Sequence, residues 1–416
     1  MSFFHAGKIR VMLIGGGGRE HAIAWSLSKS PKVELIICAP GNGGTARGST
    51  KIKNCDPDIK ATDLTGLLGV AETHRVDLVV PCSDSSIISG AVDFFETRGF
   101  RVFGPSKKAA KIEGSKSWAK AFMERHKIPT ASYQSFSSPS EASLFLQSQS
   151  TSRHVVKASG LAAGKGVFLC NTKEEAEDAV NKLMVERVFG EAGEEIIIEE
   201  FLVGRELSVT IITDGKVWRL FPVGQDAQRI YDGNLGPNTA VWETNHPGSR
   251  ERKQDHKFVG FICTGIMQTV DGPKLLEYNA RFGDPEAQAL FPLLDDASDL
   301  ADIMIACTEA QLERVHMEFQ PKAAISLVVA SSGYPGAYRV GEFIDFGSLP
   351  QDVFVFHAGT SWAGDRLVTQ GGRVLAVVCI ADSTEEAIKG AYSGAQEIIF
   401  KGKYLRTDIG QILSSW

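Results

Sequence analysis

The sequence predicts an α/β fold class built from three successive units, and three observations carry that prediction. The apolar run Ile9-Arg10-Val11-Met12-Leu13-Ile14 leads straight into Gly15-Gly16-Gly17-Gly18-Arg19-Glu20-His21, as a buried strand turning tightly into a helix does. The pattern changes around Gly104-Pro105-Ser106, where a turn signal precedes a long amphipathic stretch. A further α/β alternation starts near Ala323 and continues to residue 416. The units are therefore 1–104, 105–322 and 323–416.

In the first unit the helix after Gly18 extends to about Ser30, with strands at 33–38, 76–81 and 101–103 and a helix at 86–98. In the second, a helix over 107–126 comes first and Pro129 starts a new segment. Strands at 154–157 and 167–170 flank a glycine-rich loop, and a helix at 173–187 precedes a strand at 195–199. Strands at 206–213 and 217–221 follow, and 222–257 reads as polar and turn-rich. Strands at 259–269 and 273–279 then form a hairpin across Asp271-Gly272. Neither a repeat nor a low-complexity tract interrupts this order.

Composition excludes several classes. A hydrophobic content of 43% with 23% charged residues is that of a globular chain. A net charge of -6 and the lack of any basic run exclude nucleic acid as a partner. Seven cysteines without a C-x-x-C suit a reducing compartment rather than disulfides or a zinc cluster. The start is too short and polar for a signal peptide, and no apolar run reaches membrane-spanning length. The expectation is a cytoplasmic protein with no membrane partner.

Four features carry chemistry. In 155–167, Lys157 ends an apolar lead-in, and Gly160, Gly164, Lys165 and Gly166 form a loop able to set backbone N–H groups and ammonium charges against a polyphosphate. It is not G-x-x-x-x-G-K-[S/T], since three residues separate Gly160 from Gly164 and Gly166 follows Lys165. A plain surface hairpin is the competing reading. The strand 196–198 ends in Glu199 and Glu200, with Glu206 beyond, an arrangement suited to an adenosine or simply to solvent. In 275–286, period-two alternation puts Glu277, Asn279 and Arg281 on one face. A carboxylate, a carboxamide and a guanidinium facing one way suit Mg²⁺ on ATP phosphates plus a charge stabiliser. Lys116, on the helix after the first unit, is a lone lysine without outside support. At the N-terminus, Arg19 and the helix N–H groups can meet an anion such as a substrate phosphate. A dinucleotide fingerprint is disfavoured, because Glu20 stands where glycine is wanted and Ala39 where an acid is wanted. A structural strand–helix turn is the alternative.

Across 9–416 the chain resembles the glycinamide ribonucleotide synthetase family of the ATP-grasp superfamily. The resemblance is carried by GGGGREHA (15–22), APGNGGTA (39–46), FGPSKKAAKIEGSK (103–116), HKIPTASY (126–133), VVKASGLAAGKGV (155–167), IIIEEFLVGREL, LLEYNARFGDPEAQ (275–288), GYPGAY (333–338), FHAGT (356–360) and GGRVLAV (371–377). It implies an ATP-grasp fold with an N-terminal open α/β (Rossmann-like) domain, a lid at about 130–203 and a small C-terminal α/β domain. It also implies that Lys116, Lys157 and the 160–166 loop meet ATP, and that Glu199 and Glu200 lie at the adenine hinge with Glu206 near the ribose. Glu277 and Asn279 would hold Mg²⁺ (or Mn²⁺), and Arg281 would stabilise the transferring phosphoryl group. The reaction implied is carboxylate plus ATP giving an acyl phosphate, which an amine then attacks to form an amide.

The sequence departs from the family on the acceptor side. The family's Q-D-H-K-R is Gln225-Asp226-Ala227-Gln228-Arg229, and G-P-N-T-G-G-M-G-A-Y starts intact at Gly236-Pro237-Asn238-Thr239 but continues Ala240-Val241-Trp242-Glu243. The stretch onward to Phe258 is shorter, and V-G-P-E-A-P-L is replaced over Val80–Ile87. Asp226, Gly236 and Asn238 join Arg19 as substrate-side candidates. These changes lead to the expectation of a retained ligase whose substrate has changed: a small-molecule carboxylate and amine, amino-acid-like, in a specialised biosynthetic pathway, with a carrier-protein-bound substrate admitted. An intact purine-pathway phosphoribosylamine–glycine ligase with a trimmed loop and a non-catalytic ATP-binding regulator are its rivals.

Overall fold

The computed structural model describes residues 7–162, 165–227, 229–233, 235–238, 243–246 and 258–411. Three sheets organise them. The first is parallel and five-stranded, in the spatial order Ile52–Asn54, Val33–Pro40, Ile9–Gly15, Leu78–Pro81 and Arg101–Val102. The apolar run at its centre is continuous because both faces are covered. Met12 and Ile14 pack with Leu67 and Phe95 on one side, while Val11 and Leu13 share the other with Phe291 and Ile303.

A ten-stranded antiparallel sheet forms the centre. It runs from Gly272–Asn279 through Gly260–Thr269, Arg205–Thr213, Val223–Asp226 and Glu243–His246 to Ala323–Ser331, Arg373–Ala381 and Val353–His357. The stretch 222–257, expected to be turns, thus contributes strands among its described residues. Val223–Asp226 and Glu243–His246 pair with each other and complete the sheet between its two halves. The third sheet has four antiparallel strands, in the order Tyr133–Phe136, Ile196–Glu200, His154–Ala158 and Val167–Cys170, under the helices Pro139–Ser148 and Lys173–Val180. It forms the lid.

Two helices are shorter than their periodicity suggests. The stretch 107–126 breaks into Lys111–Gly114 and Lys116–Arg125, because Ser115 is extended (φ -144°, ψ 110°) and caps the second helix by accepting the Trp118 N–H. The break turns the Lys116 N–H onto the Ser159 carbonyl at 2.8 Å. The stretch 86–98 is cut at Gly90, whose φ of +92° only glycine adopts cheaply. Among the described residues no helix is long and apolar enough to cross a membrane.

Candidate active site

A cavity of about 650 Å³ opens where the N-terminal sheet, the lid and the central sheet meet. Strand alternation builds its walls. On the lid, Val155, Lys157, Val167 and Leu169 face the cavity, while Val156, Ile196 and Ile198 point into the lid core. Leu202, Met267 and Leu276 add further apolar lining. Eleven of the sequence candidates line this space: Arg19, Lys116, Lys157, Gly160, Gly166, Glu199, Glu200, Glu206, Glu277, Asn279 and Arg281.

Glu199 lies diagonally across the strand pair from Lys157, whose Nζ is 3.0 Å from its Oε2. Lys120 approaches the other oxygen, Oε1, at 3.2 Å. All three side chains are buried, at 2%, 2% and 7% exposure for Glu199, Lys120 and Lys157. Burial works against the Lys157 charge, yet Glu199 beside it raises its pKa. Glu200 is more open and holds Lys274 at 2.7 Å.

Glu277 sits 3.2 Å from Lys116 Nζ, and that ammonium holds its carboxyl down at about 2. Glu206 is the opposite case. Burial, reinforced by the Glu277 charge, pushes it up to about 8. Glu286 is likewise raised by burial, while its Oε1 accepts from Ser208 Oγ at 3.2 Å.

The strand stops at Asn279, so the pleat does not place Arg281. Instead its Nε pairs with Glu113 Oε1 at 2.9 Å and its Nη2 donates to Asn279 Oδ1 at 3.1 Å. The outcome matches the expected shared face, but the cause is an ion pair from a distant helix. Arg19 is paired with Glu20 at 2.7 Å and donates to the Phe282 carbonyl. Arg373 pairs with Asp284 at 3.1 Å, and this neighbour, against the effect of burial, holds the Asp284 carboxyl low. Asp84 is held low in the same way by Arg281 and Arg19.

Two candidates do not line the cavity. Lys165 turns to the C-terminal domain, donating to the Pro335 carbonyl at 3.1 Å with the Tyr334 ring 5.5 Å away. Gly236 stands exposed in the Leu235–Asn238 strand beside Tyr231. Gly164 lies outside the described residues, as do the side chains of Asp226 and Asn238. Sequence reasoning passed over Asp84, Glu113, Asp284, Glu286 and Arg373, all on the cavity wall. It also passed over Lys120, which stands one helical turn beyond Lys116 (i, i+4), a spacing that signalled a shared face.

Comparison with known proteins assigns this architecture. The family model for the phosphoribosylglycinamide synthetase N domain matches residues 9–113, that for its ATP-grasp (A) domain 114–241 and 249–287, and that for its C domain 324–412. The chain belongs to the phosphoribosylglycinamide synthetase family. It is 41% identical to a phosphoribosylamine–glycine ligase of Chlorobaculum tepidum over 97% of this chain and 99% of that one. It is 42% identical to a bifunctional purine biosynthetic protein of Pichia angusta, of which it spans about half (53%). Among solved structures, the phosphoribosylamine–glycine ligase of Thermotoga maritima superposes with a TM-score of 0.79 at 30% identity, covering 96% of this chain and all of that one. A biotin carboxylase domain from Hydrogenobacter thermophilus shares the fold, with a TM-score of 0.74 at 13% identity.

Members of this family are ADP-forming ATP-grasp ligases that make a C–N bond, and so is this chain. The expected move to a specialised pathway is overturned. Relatives named for purine biosynthesis match it along nearly the whole chain, and nothing supports a carrier-protein partner. The rewritten residues are a local feature: the family's ATP-grasp match is interrupted only over 242–248, inside the shortened stretch. Within that interruption, Glu243–His246 still pairs with Val223–Asp226. The family models match across the other departures, at Val80–Ile87 and Ala227–Val241, without a break.

Proposed function

We propose that this protein is a phosphoribosylamine–glycine ligase, joining the carboxylate of glycine to the amine of phosphoribosylamine at the expense of ATP. The observation that carries the reading is the 41% identity with the Chlorobaculum tepidum ligase over 99% of that enzyme's length. The cavity's charge distribution supports it.

Glu277 and Asn279 would hold Mg²⁺, which supplies charge neutralisation on the nucleotide phosphates. Both offer hard oxygen donors, and Glu277 stays ionised beside Lys116. Among the described residues no three His, Cys, Asp or Glu side chains form a metal cage. That suits an ion which takes one or two protein carboxylates and completes its shell with phosphate and water.

Lys157 and Lys116 would meet the phosphates, and the 160–166 loop would cover them. Close packing supports this cover, since a Cβ on Gly160 would lie 2.7 Å from Ala192 Cα. Glu199 would keep Lys157 in place, with Glu200 at the hinge and Glu206 toward the ribose. Arg281, fixed by Glu113 and Asn279, would stabilise the phosphoryl group in transfer to the glycine carboxylate. Arg19, on the cavity wall, would serve the amine substrate. The amine then attacks the acyl phosphate, forming the C–N bond and releasing phosphate. The lid excludes water from that hydrolysable intermediate.

Supplied with Mg-ATP, glycine and phosphoribosylamine, the purified protein should release ADP in step with amide product. ADP release with another amino acid but none with glycine would overturn the assignment.

A further inference from the structure

We infer that Lys120 is a positioning residue for the nucleotide: by taking up part of the Glu199 charge, it leaves Lys157 with a net positive charge toward the phosphates. The inference rests on the nucleotide reading of the cavity and deepens it. Glu199 lies between two ammonium groups, Lys120 at 3.2 Å and Lys157 at 3.0 Å, all inside a nearly dry contact. Two positive charges against one negative leave the group at +1. Only Lys157 and Glu199 of the three line the cavity, so the surplus is presented there by Lys157. With Lys120 removed, Glu199 would neutralise Lys157 completely, and in a poorly screened site that difference is felt by an anion.

Lys120 is itself held from outside the triad. Its Nζ donates to Thr130 Oγ1 at 2.7 Å, and Thr130 donates in turn to the Leu275 carbonyl at 2.5 Å. Leu275 belongs to the same strand as Glu277. One ammonium therefore ties the helix Lys116–Arg125 to the base of the lid and to the strand that carries the proposed metal ligands. Burial, with Lys157 nearby, pushes Lys120 down to about 8 despite Glu199, as expected for a cation kept where charge is in surplus.

The test compares ADP with adenosine by calorimetry in the whole protein, alongside KM for ATP. Lys120→Met should weaken ADP binding about tenfold to hundredfold, the range of one hydrogen bond to a charged group. Adenosine, which carries no phosphate, should bind as before, and KM for ATP should rise more than kcat falls. Lys120→Arg should restore most of the ADP affinity. Thr130→Val, which loosens the ammonium without removing its charge, should give a smaller loss of the same ADP-only kind and serves if Lys120→Met does not fold. Equal loss of ADP and adenosine would show a merely structural residue and overturn the proposal, as would unchanged ADP binding. A wild-type protein that binds no ADP would instead overturn the nucleotide reading, and this inference with it.

Discussion

Lys116 Nζ stands 3.2 Å from Glu277 Oε2, joining the first helix of the ATP-grasp region to the edge strand of the central sheet. The ammonium keeps this carboxyl ionised far below neutrality. Glu277→Gln preserves shape and removes the charge, so turnover should fall by at least about 10²-fold to 10³-fold, the scale of one lost transition-state contact. The thermal midpoint should change little. Unimpaired ADP release in this variant would remove Glu277 from the metal site.

Lys165 reaches from the lid loop to the Pro335 carbonyl of the C-terminal domain. Lys165→Ala should loosen lid closure and let water reach the activated carboxylate. ADP release should then outrun amide formation, measured as the ratio of the two products, which stays near unity in the unaltered protein. A ratio unchanged by the substitution would show that the contact does not govern closure.

His357 donates its backbone N–H to His21 Nδ1 at 2.9 Å across the junction of the first and last domains. Burial lowers both imidazoles, His21 to about 3 and His357 to about 4, from an ordinary 6.5. The unfolded chain therefore takes up protons that the folded one refuses. Stability should be fully present above about pH 6.5 and decline as pH falls toward 4. Urea midpoints across that window check the slope, and His21→Asn should flatten it by up to about 1.4 kcal/mol per pH unit.

Ser115 caps the helix that opens with Lys116. Ser115→Ala should cost about 1 kcal/mol of stability, read as a lower thermal midpoint. It also removes the hydroxyl that marks the break, so KM for ATP should rise as Lys116 loses its fixed start.

Much of the site was legible because it lies on regular strands. Val155 and Lys157, or Glu277 and Asn279, share a face by alternation alone, and alternation can be read along a chain. Arg281 could not be placed that way, since its position depends on Glu113, a partner far away in sequence. The break at Ser115 was hidden for a related reason: the apolar period runs through it, while its cause is an exposed-looking hydroxyl and a carbonyl at Ser159. The substitutions beyond Ala227 invited too large a conclusion about substrate. Among the described residues on either side of them, Val223–Asp226 and Glu243–His246 keep their pairing, with Gln225 opposite Thr244.

The central sheet carries a consequence for how such an enzyme moves and varies. Its strands run without interruption from Gly272–Asn279 to Val353–His357, hydrogen-bonded neighbour to neighbour. The proposed metal-binding edge and the C-terminal domain are thus two ends of one girder and cannot flex apart without tearing a ladder. The four-stranded sheet expected as the lid is hydrogen-bonded separately from this ladder. Loss of either Val223–Asp226 or Glu243–His246 from the central span would disconnect its two ends.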